Sequence, residues 1–170
     1  MKTSHIPAFI LGLLYLCFLG YLAFSVSSLP DCVATHFNGS GEPNGWMSKS
    51  SYLMFMSAFS IVLPLFLIGT SFTLRIFPEK YFNIPHRDYW LAPERRAETF
   101  SYLFRHSLWF ACIVLGFISG IHFSIIKANS LIPAHLSTPL ILSLIGCFLS
   151  ALVVWIVSMI LHFNSASKSA

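Results

Sequence analysis

The chain has 170 residues, of which 56% are hydrophobic and only 9% charged, and its mean hydropathy is +0.74. A soluble globule of this size needs more polar surface than that, so the composition excludes the soluble class and points to a membrane protein. A formal charge of +4 and a pI near 9.0 would suit nucleic acid, but the ten Lys and Arg form neither a basic stripe nor a binding motif, and nucleic acid is excluded as a partner.

Four long apolar runs follow one another, at residues 6–29, 51–74, 107–126 and 135–163, and none contains Asp, Glu, Lys or Arg. Each is long enough to span, because a bilayer core of about 30 Å needs roughly 20 helical residues. A closed barrel is excluded, since its strands would alternate apolar and polar residues whereas these runs are apolar on all sides. The predicted fold is therefore all-α, an integral membrane protein of four transmembrane helices. The first run also has traits of a cleaved signal peptide, with Lys2 before it and Ala23-Phe24-Ser25 within it. It exceeds the roughly 7 to 15 apolar residues usual there, and Asp31 directly before Cys32 spoils a lipoprotein-type site, so an uncleaved helix is the better reading.

Orientation follows from the basic residues, because short cytoplasmic segments are enriched in Lys and Arg. Lys2, then Arg75, Lys80, Arg87, Arg95, Arg96 and Arg105, then Lys168 fall on one side, while the other has only Lys49 and Lys127. Both termini are thus expected in the cytoplasm, with residues 1–5 and 164–170 as short tails, the latter disordered, and with loop 30–50 outside. Pro64 is expected to kink the second span and Pro139 to fall near the start of the fourth. Gly116 and Gly120 form a small-xxx-small pair that would let another helix approach the third.

Loop 30–50 is rich in turn formers, and Pro43-Asn44-Gly45 reads as a tight turn. Such a loop is longer than two helices need for joining. It reads either as a recognition surface, with Phe37 and Trp46 as apolar anchors and His36, Asn38 and Lys49 as polar contacts, or as a pair of interfacial aromatics with turns that cap the helices. The cytoplasmic segment 75–106 is broken by Pro78, Pro85 and Pro93, and Tyr81, Phe82, Tyr89 and Trp90 suit the headgroup level. Pro93 and Glu94 mark the start of a helix that runs on into the third span, and Asp88, Arg95 and Arg96 complete this inner interfacial segment.

These loops also carry a resemblance. Leu29-Pro30-Asp31, Thr35-His36-Phe37-Asn38, Gly41-Glu42-Pro43-Asn44-Gly45-Trp46 and Ser48-Lys49 resemble the signature of the domain-of-unknown-function 1648 family of bacterial membrane proteins. That signature covers roughly residues 6–56, within a unit of two helices and their outer loop at 6–74. Asn83-Ile84-Pro85 and the run from Asp88 to Arg96 are similar to the cytoplasmic segment of four-helix members and extend the likeness to about residue 105. The resemblance implies a bacterial plasma-membrane location. The SdpI-like relatives give immunity to a secreted toxin and hold a repressor at the membrane. With four spans, this chain is expected to lack the second half of their architecture, so neither activity carries over directly. The family supplies no catalytic residues to carry across.

Intramembrane enzymes and ion-coupled transporters need ionisable groups at membrane depth. Here only His122 lies within a span, near its outer end, with His106, His135 and His162 at helix boundaries. No pair stands at i, i+4, so no helical metal site is encoded locally. Asp88, Glu94 and Glu98 offer acids beside Arg95 and Arg96, but acids are expected at a helix start and the arginines serve topology. The four cysteines lack metal spacing. The sequence thus predicts no catalytic residues, no metal and no cofactor. It predicts a binding, sensing or immunity-like role through the outer loop, with a structural or accessory role as the competing reading. The expected partners are membrane lipid, a protein or peptide at the outer loop, and a cytoplasmic regulator.

Overall fold

A computed structural model describes residues 5–165. Lys2, Lys168 and positions 166–170 of the tail expected to be disordered lie outside the described residues. In chain order the elements are α1 (His5–Ser25), β1 (Cys32–Phe37), β2 (Pro43–Ser48), α2 (Lys49–Thr73), the short α3 (Arg87–Trp90), α4 (Pro93–Asn129) and α5 (Thr138–Asn164). Among the described residues, α1, α2, α4 and α5 are long and apolar enough to cross a membrane, and the chain is a multi-pass membrane protein.

Each helix ends where the sequence gives it cause. The hydroxyls of Ser25, Ser27 and Ser28 turn back onto the carbonyls of Tyr21, Phe24 and Ser25, satisfying the acceptors left at the end of α1. Ser48 caps α2 by accepting from the Ser51 amide at 3.1 Å. Pro64 sits inside α2, where it cannot donate to the preceding turn, yet the helix continues past it to Thr73. Pro93 occupies the first turn of α4, as its fixed φ and missing N–H allow, and Pro139 does the same for α5.

At 37 residues α4 is about 55 Å long, far more than a bilayer core requires. Its charged first third lies beyond the apolar run, and the helix opens at Pro93 and reaches Asn129 without a break. It is also the hub of the fold. Both α1 and α2 pack on it, α5 packs on it as well, and the backbones of α1 and α2 stay apart. The main core joins Phe18 and Leu22 of α1, Tyr52 and Met56 of α2, and Leu115 and Ile118 of α4, with Leu29 and Val33 covering its end. A second cluster, Phe82, Leu91 and Phe100, lies under segment 75–92 at the opposite end. In lipid, apolar contact between helices gains little over contact with acyl chains, so close packing and interhelical hydrogen bonds decide the arrangement.

The α4–α5 contact illustrates this. The Trp155 indole donates to the His106 carbonyl at 3.0 Å, the His106 Nε2 lies 3.1 Å from the Trp155 carbonyl, and the two rings stack at 4.5 Å. A Cβ on Gly120 would collide with Leu144, so α5 comes close there, whereas one on Gly116 would meet nothing within 4 Å. Only Phe163 of α5 is buried within the chain.

Loop 30–50 holds an element that the sequence reading did not anticipate. Segments 32–37 and 43–48 pair as an antiparallel hairpin, with Val33 opposite Met47 and Ala34 opposite Trp46. The turn expected at Pro43-Asn44-Gly45 is not there, because those residues begin β2. Pro43 is tolerated as the first residue of a strand, and irregular register around His36 accommodates Gly45. The reversal lies instead at residues 38–42, where one side chain builds it.

Candidate functional site

Asn38 makes the turn. Its Oδ1 accepts from the amides of Ser40 and Glu42 at 3.1 and 2.9 Å and from the Ser40 hydroxyl at 2.7 Å, while its Nδ2 donates to the Glu42 carboxylate at 3.0 Å. An asparagine replacing backbone partners in this way is the usual device for closing a short loop. Hydrogen bonds from Asn38 and then Ser40 hold the Glu42 carboxyl below the usual carboxylate range. Asn38 therefore builds the turn while the residue itself stays exposed.

Two clamps fix the hairpin to the helices. The Asn129 side chain, at the end of α4, pairs with Ala34 as a strand would, accepting from its amide and donating to its carbonyl, each at 2.9 Å. At the tip, the Leu136 amide donates to the Gly41 carbonyl at 2.9 Å, joining the turn to the α4–α5 connection. Gly41 has φ +87°, and a Cβ there would strike the Leu136 carbonyl oxygen. At the base, the Lys49 amide donates to the Asp31 carbonyl at 2.9 Å and its ammonium lies 3.8 Å from the Asp31 carboxylate. Lys49 thus closes the hairpin. Phe37 is half-buried against the main core.

Trp46 and His36 remain outward. Trp46 is 55% exposed, unusual for an indole held on a fixed strand. The exposed His36 packs its side chain over Gly45, the residue before Trp46, where a Cβ would lie 3.0 Å from His36 Cβ.

Beneath the hairpin lies a group of residues that sequence reasoning did not assemble. His122 of α4 is 0% exposed, and its Nε2 lies 2.7 Å from the Ser25 hydroxyl of α1 while its Nδ1 lies 2.7 Å from the Tyr52 hydroxyl of α2. Tyr21 meets the imidazole edge-on at 5.1 Å and Tyr52 stacks on it at 5.8 Å. The proton positions follow from satisfaction. Ser25 also lies 2.7 Å from the Tyr21 carbonyl, to which it donates. Nε2–H can then donate to the Ser25 oxygen and Nδ1 can accept from Tyr52, so every donor has an acceptor; the other tautomer would leave the Tyr52 proton with none. His122 is thus a neutral three-helix junction. The sequence signal was a scatter of polar residues near the hairpin end of each of three apolar spans, but nothing in the spacing says which of them meet.

At the other end, Trp90 donates its indole N–H to the Phe163 carbonyl at 2.8 Å and accepts, through its own carbonyl, from the Thr99 hydroxyl at 2.7 Å. It therefore ties the short α3 to both α5 and α4. The Arg95 guanidinium lies over the Tyr89 ring at 3.8 Å and donates to its hydroxyl, and Arg96 pairs with Glu79. Asp88 pairs with its neighbour Arg87 at 3.2 Å, and Glu94 is exposed in the first turn of α4 beyond Pro93. Among the described residues, no three of His, Cys, Asp and Glu come together in a way that could hold a metal ion.

Residues 13–61 match the family model of the domain of unknown function DUF1648. The match takes in most of α1, the whole hairpin and the first half of α2, and so includes Ser25 and Tyr52, whereas His122 and Asn129 lie outside it on α4. No curated protein and no solved structure matches the chain.

Proposed function

We propose, from the DUF1648 match and the clamped hairpin, that the chain is a bacterial plasma-membrane binding or sensing protein, immunity-like in kind, that recognises a protein or peptide outside the membrane. The observation that carries this reading is the exposed Trp46 on a hairpin fixed at its base, edge and tip, since a rigid outward aromatic loses little entropy on binding. A catalytic role is disfavoured. The Ser25–His122 pair would suit a nucleophile and its base, but the two residues are 5% and 0% exposed and the imidazole is already fully engaged.

In this reading the hairpin faces outward and both termini face the cytoplasm, where a regulator would meet segment 75–106. The six basic residues between Arg75 and Arg105 gather at the end opposite the hairpin, as the positive-inside rule requires of a cytoplasmic face. Cys32 is exposed at the base of the hairpin and serves as the reporter. With Cys17, Cys112 and Cys147 replaced by Ala, an impermeant maleimide should label Cys32 in intact cells. Labelling that requires permeabilised membranes reverses the orientation.

A photoreactive residue at the exposed position of Asn44 should give a discrete protein or peptide adduct in living cells, and Trp46→Ala should reduce its yield. A buried interface anchor of this type is worth at least ~2 kcal/mol, or about 30-fold in affinity. Membrane abundance should not change, because the ring contributes little to the core at 55% exposure. An adduct pattern identical to that from Leu149, on the exposed surface of α5, would reduce the hairpin to a connector.

A further inference from the structure

Because α1 and α2 both rest on α4 and their backbones stay apart, they leave an apolar groove between them. It has a volume of about 740 Å³, its walls include Gly12, Tyr15 and Leu16 on one side and Pro64 and Ile68 on the other, and a Cβ on Gly12 would meet nothing within 4 Å. At the end away from the hairpin a second cavity, also about 740 Å³, is lined by Arg75, Arg96 and His5 over an apolar floor that includes Phe100 and Phe104. Ala8 lines both. A basic mouth therefore adjoins a channel with almost no polar surface, between helices that span the bilayer. Arg96 shares its charge with Glu79, while the Arg75 guanidinium rests over the Phe72 ring at 5.3 Å.

We infer that this composite cleft is a site for an anionic phospholipid, with the phosphate between Arg75 and Arg96 and one acyl chain lying in the groove between α1 and α2. Charge and shape select that occupant together. A zwitterionic lipid would bring its own cation to a mouth that is already basic, and a free phosphate would leave the groove unused. Two arginines provide more donors than Glu79 can take up, and planar guanidinium groups match phosphate oxygens.

The test is native mass spectrometry of the full chain purified in detergent and titrated with phosphatidylglycerol or phosphatidylcholine of the same acyl composition. Wild type should retain phosphatidylglycerol preferentially. The preference should fall about fivefold for each arginine removed in Arg75→Gln and in the Arg75→Gln/Arg96→Gln pair. Arg87→Gln, which removes an equal charge from outside the cleft, should leave it unchanged. Gly12→Leu should lower retention of phosphatidylglycerol by filling the groove, and inorganic phosphate should not displace the lipid. If Arg96→Gln disturbs segment 75–92 through Glu79, the single Arg75→Gln variant still decides the question. Equal retention of the two lipids, an Arg87→Gln effect as large as that of Arg75→Gln, or displacement by phosphate alone would overturn the assignment. None of these outcomes depends on what the hairpin binds.

Discussion

Alanine at position 41 should detach the hairpin tip from the α4–α5 connection and cost about 2 to 5 kcal/mol. Two effects add. An L-residue pays roughly 1 to 2 kcal/mol in the left-handed region, where Gly41 sits at φ +87°. Its Cβ would also strike the Leu136 carbonyl, a backbone atom that cannot swing aside as a flexible side chain would, and steric overpacking typically costs about 1 to 3 kcal/mol. Relief requires the turn to move away from residue 136, which breaks the 2.9 Å bond from the Leu136 amide to the Gly41 carbonyl. Amide exchange at Gly41 and Leu136 should therefore accelerate together, with a lower unfolding temperature in detergent. Gly39→Ala, two residues away, is the control. A Cβ there meets nothing within 4 Å and the backbone is not left-handed, so exchange should stay at the wild-type rate. Protection of Leu136 that survives Gly41→Ala would show that the tip is not docked.

The contrast between Gly41 and Pro43-Asn44-Gly45 shows where the sequence was legible. Four spans could be read because a bilayer imposes a length and a composition that need no knowledge of partners. Their ends could be read less well. The third apolar run covers 107–126, but its helix could be read as opening upstream, because charge does not end a helix and Pro93 to Arg105 are good helix formers; α4 starts at Pro93 and runs past the apolar stretch to Asn129. In loop 30–50, Pro-Asn-Gly has turn chemistry in isolation and yet lies in β2, because pairing with β1 and clamping by Asn129 override a local preference. Asn38, placed among the recognition residues by its polarity, is consumed by the turn, and Lys49 by the base. His36, Asn38 and Trp46 are the exposed members of that group, and Phe37 and Lys49 are half-buried. The His122 junction was out of reach for a different reason. Its members are 70 and 97 residues apart in sequence, and apolar periodicity gives each helix a face without giving the axial register between helices.

That junction should be the costliest polar site to remove. His122→Leu deletes the acceptor of the Tyr52 hydroxyl, which is buried in a residue only 2% exposed, and replaces a fitted imidazole by a branched chain of another shape. The stranded hydroxyl costs about 1 to 3 kcal/mol and the misfit up to about 3 more. Tyr52→Phe removes the donor instead and should cost about 1 kcal/mol, in the range of interhelical hydrogen bonds in lipid. Ser25→Ala leaves the buried Nε2–H without its acceptor, so it should cost about 1 to 3 kcal/mol although the rest of the junction is kept. The double variant His122→Leu/Tyr52→Phe should be more stable than the sum of its parts predicts, since no hydroxyl is then stranded, and the coupling from thermal unfolding in detergent measures that rescue. The consequence reaches the hairpin. Ser25 stands just before β1 and Tyr52 just after β2, so His122 holds both legs of the hairpin at a fixed spacing on α4. His122→Leu should therefore raise amide exchange in Val33 and Met47 along with lowering stability. Strands that stay protected in that variant would mean that Asn129 and Gly41 hold the hairpin without help from the junction below it.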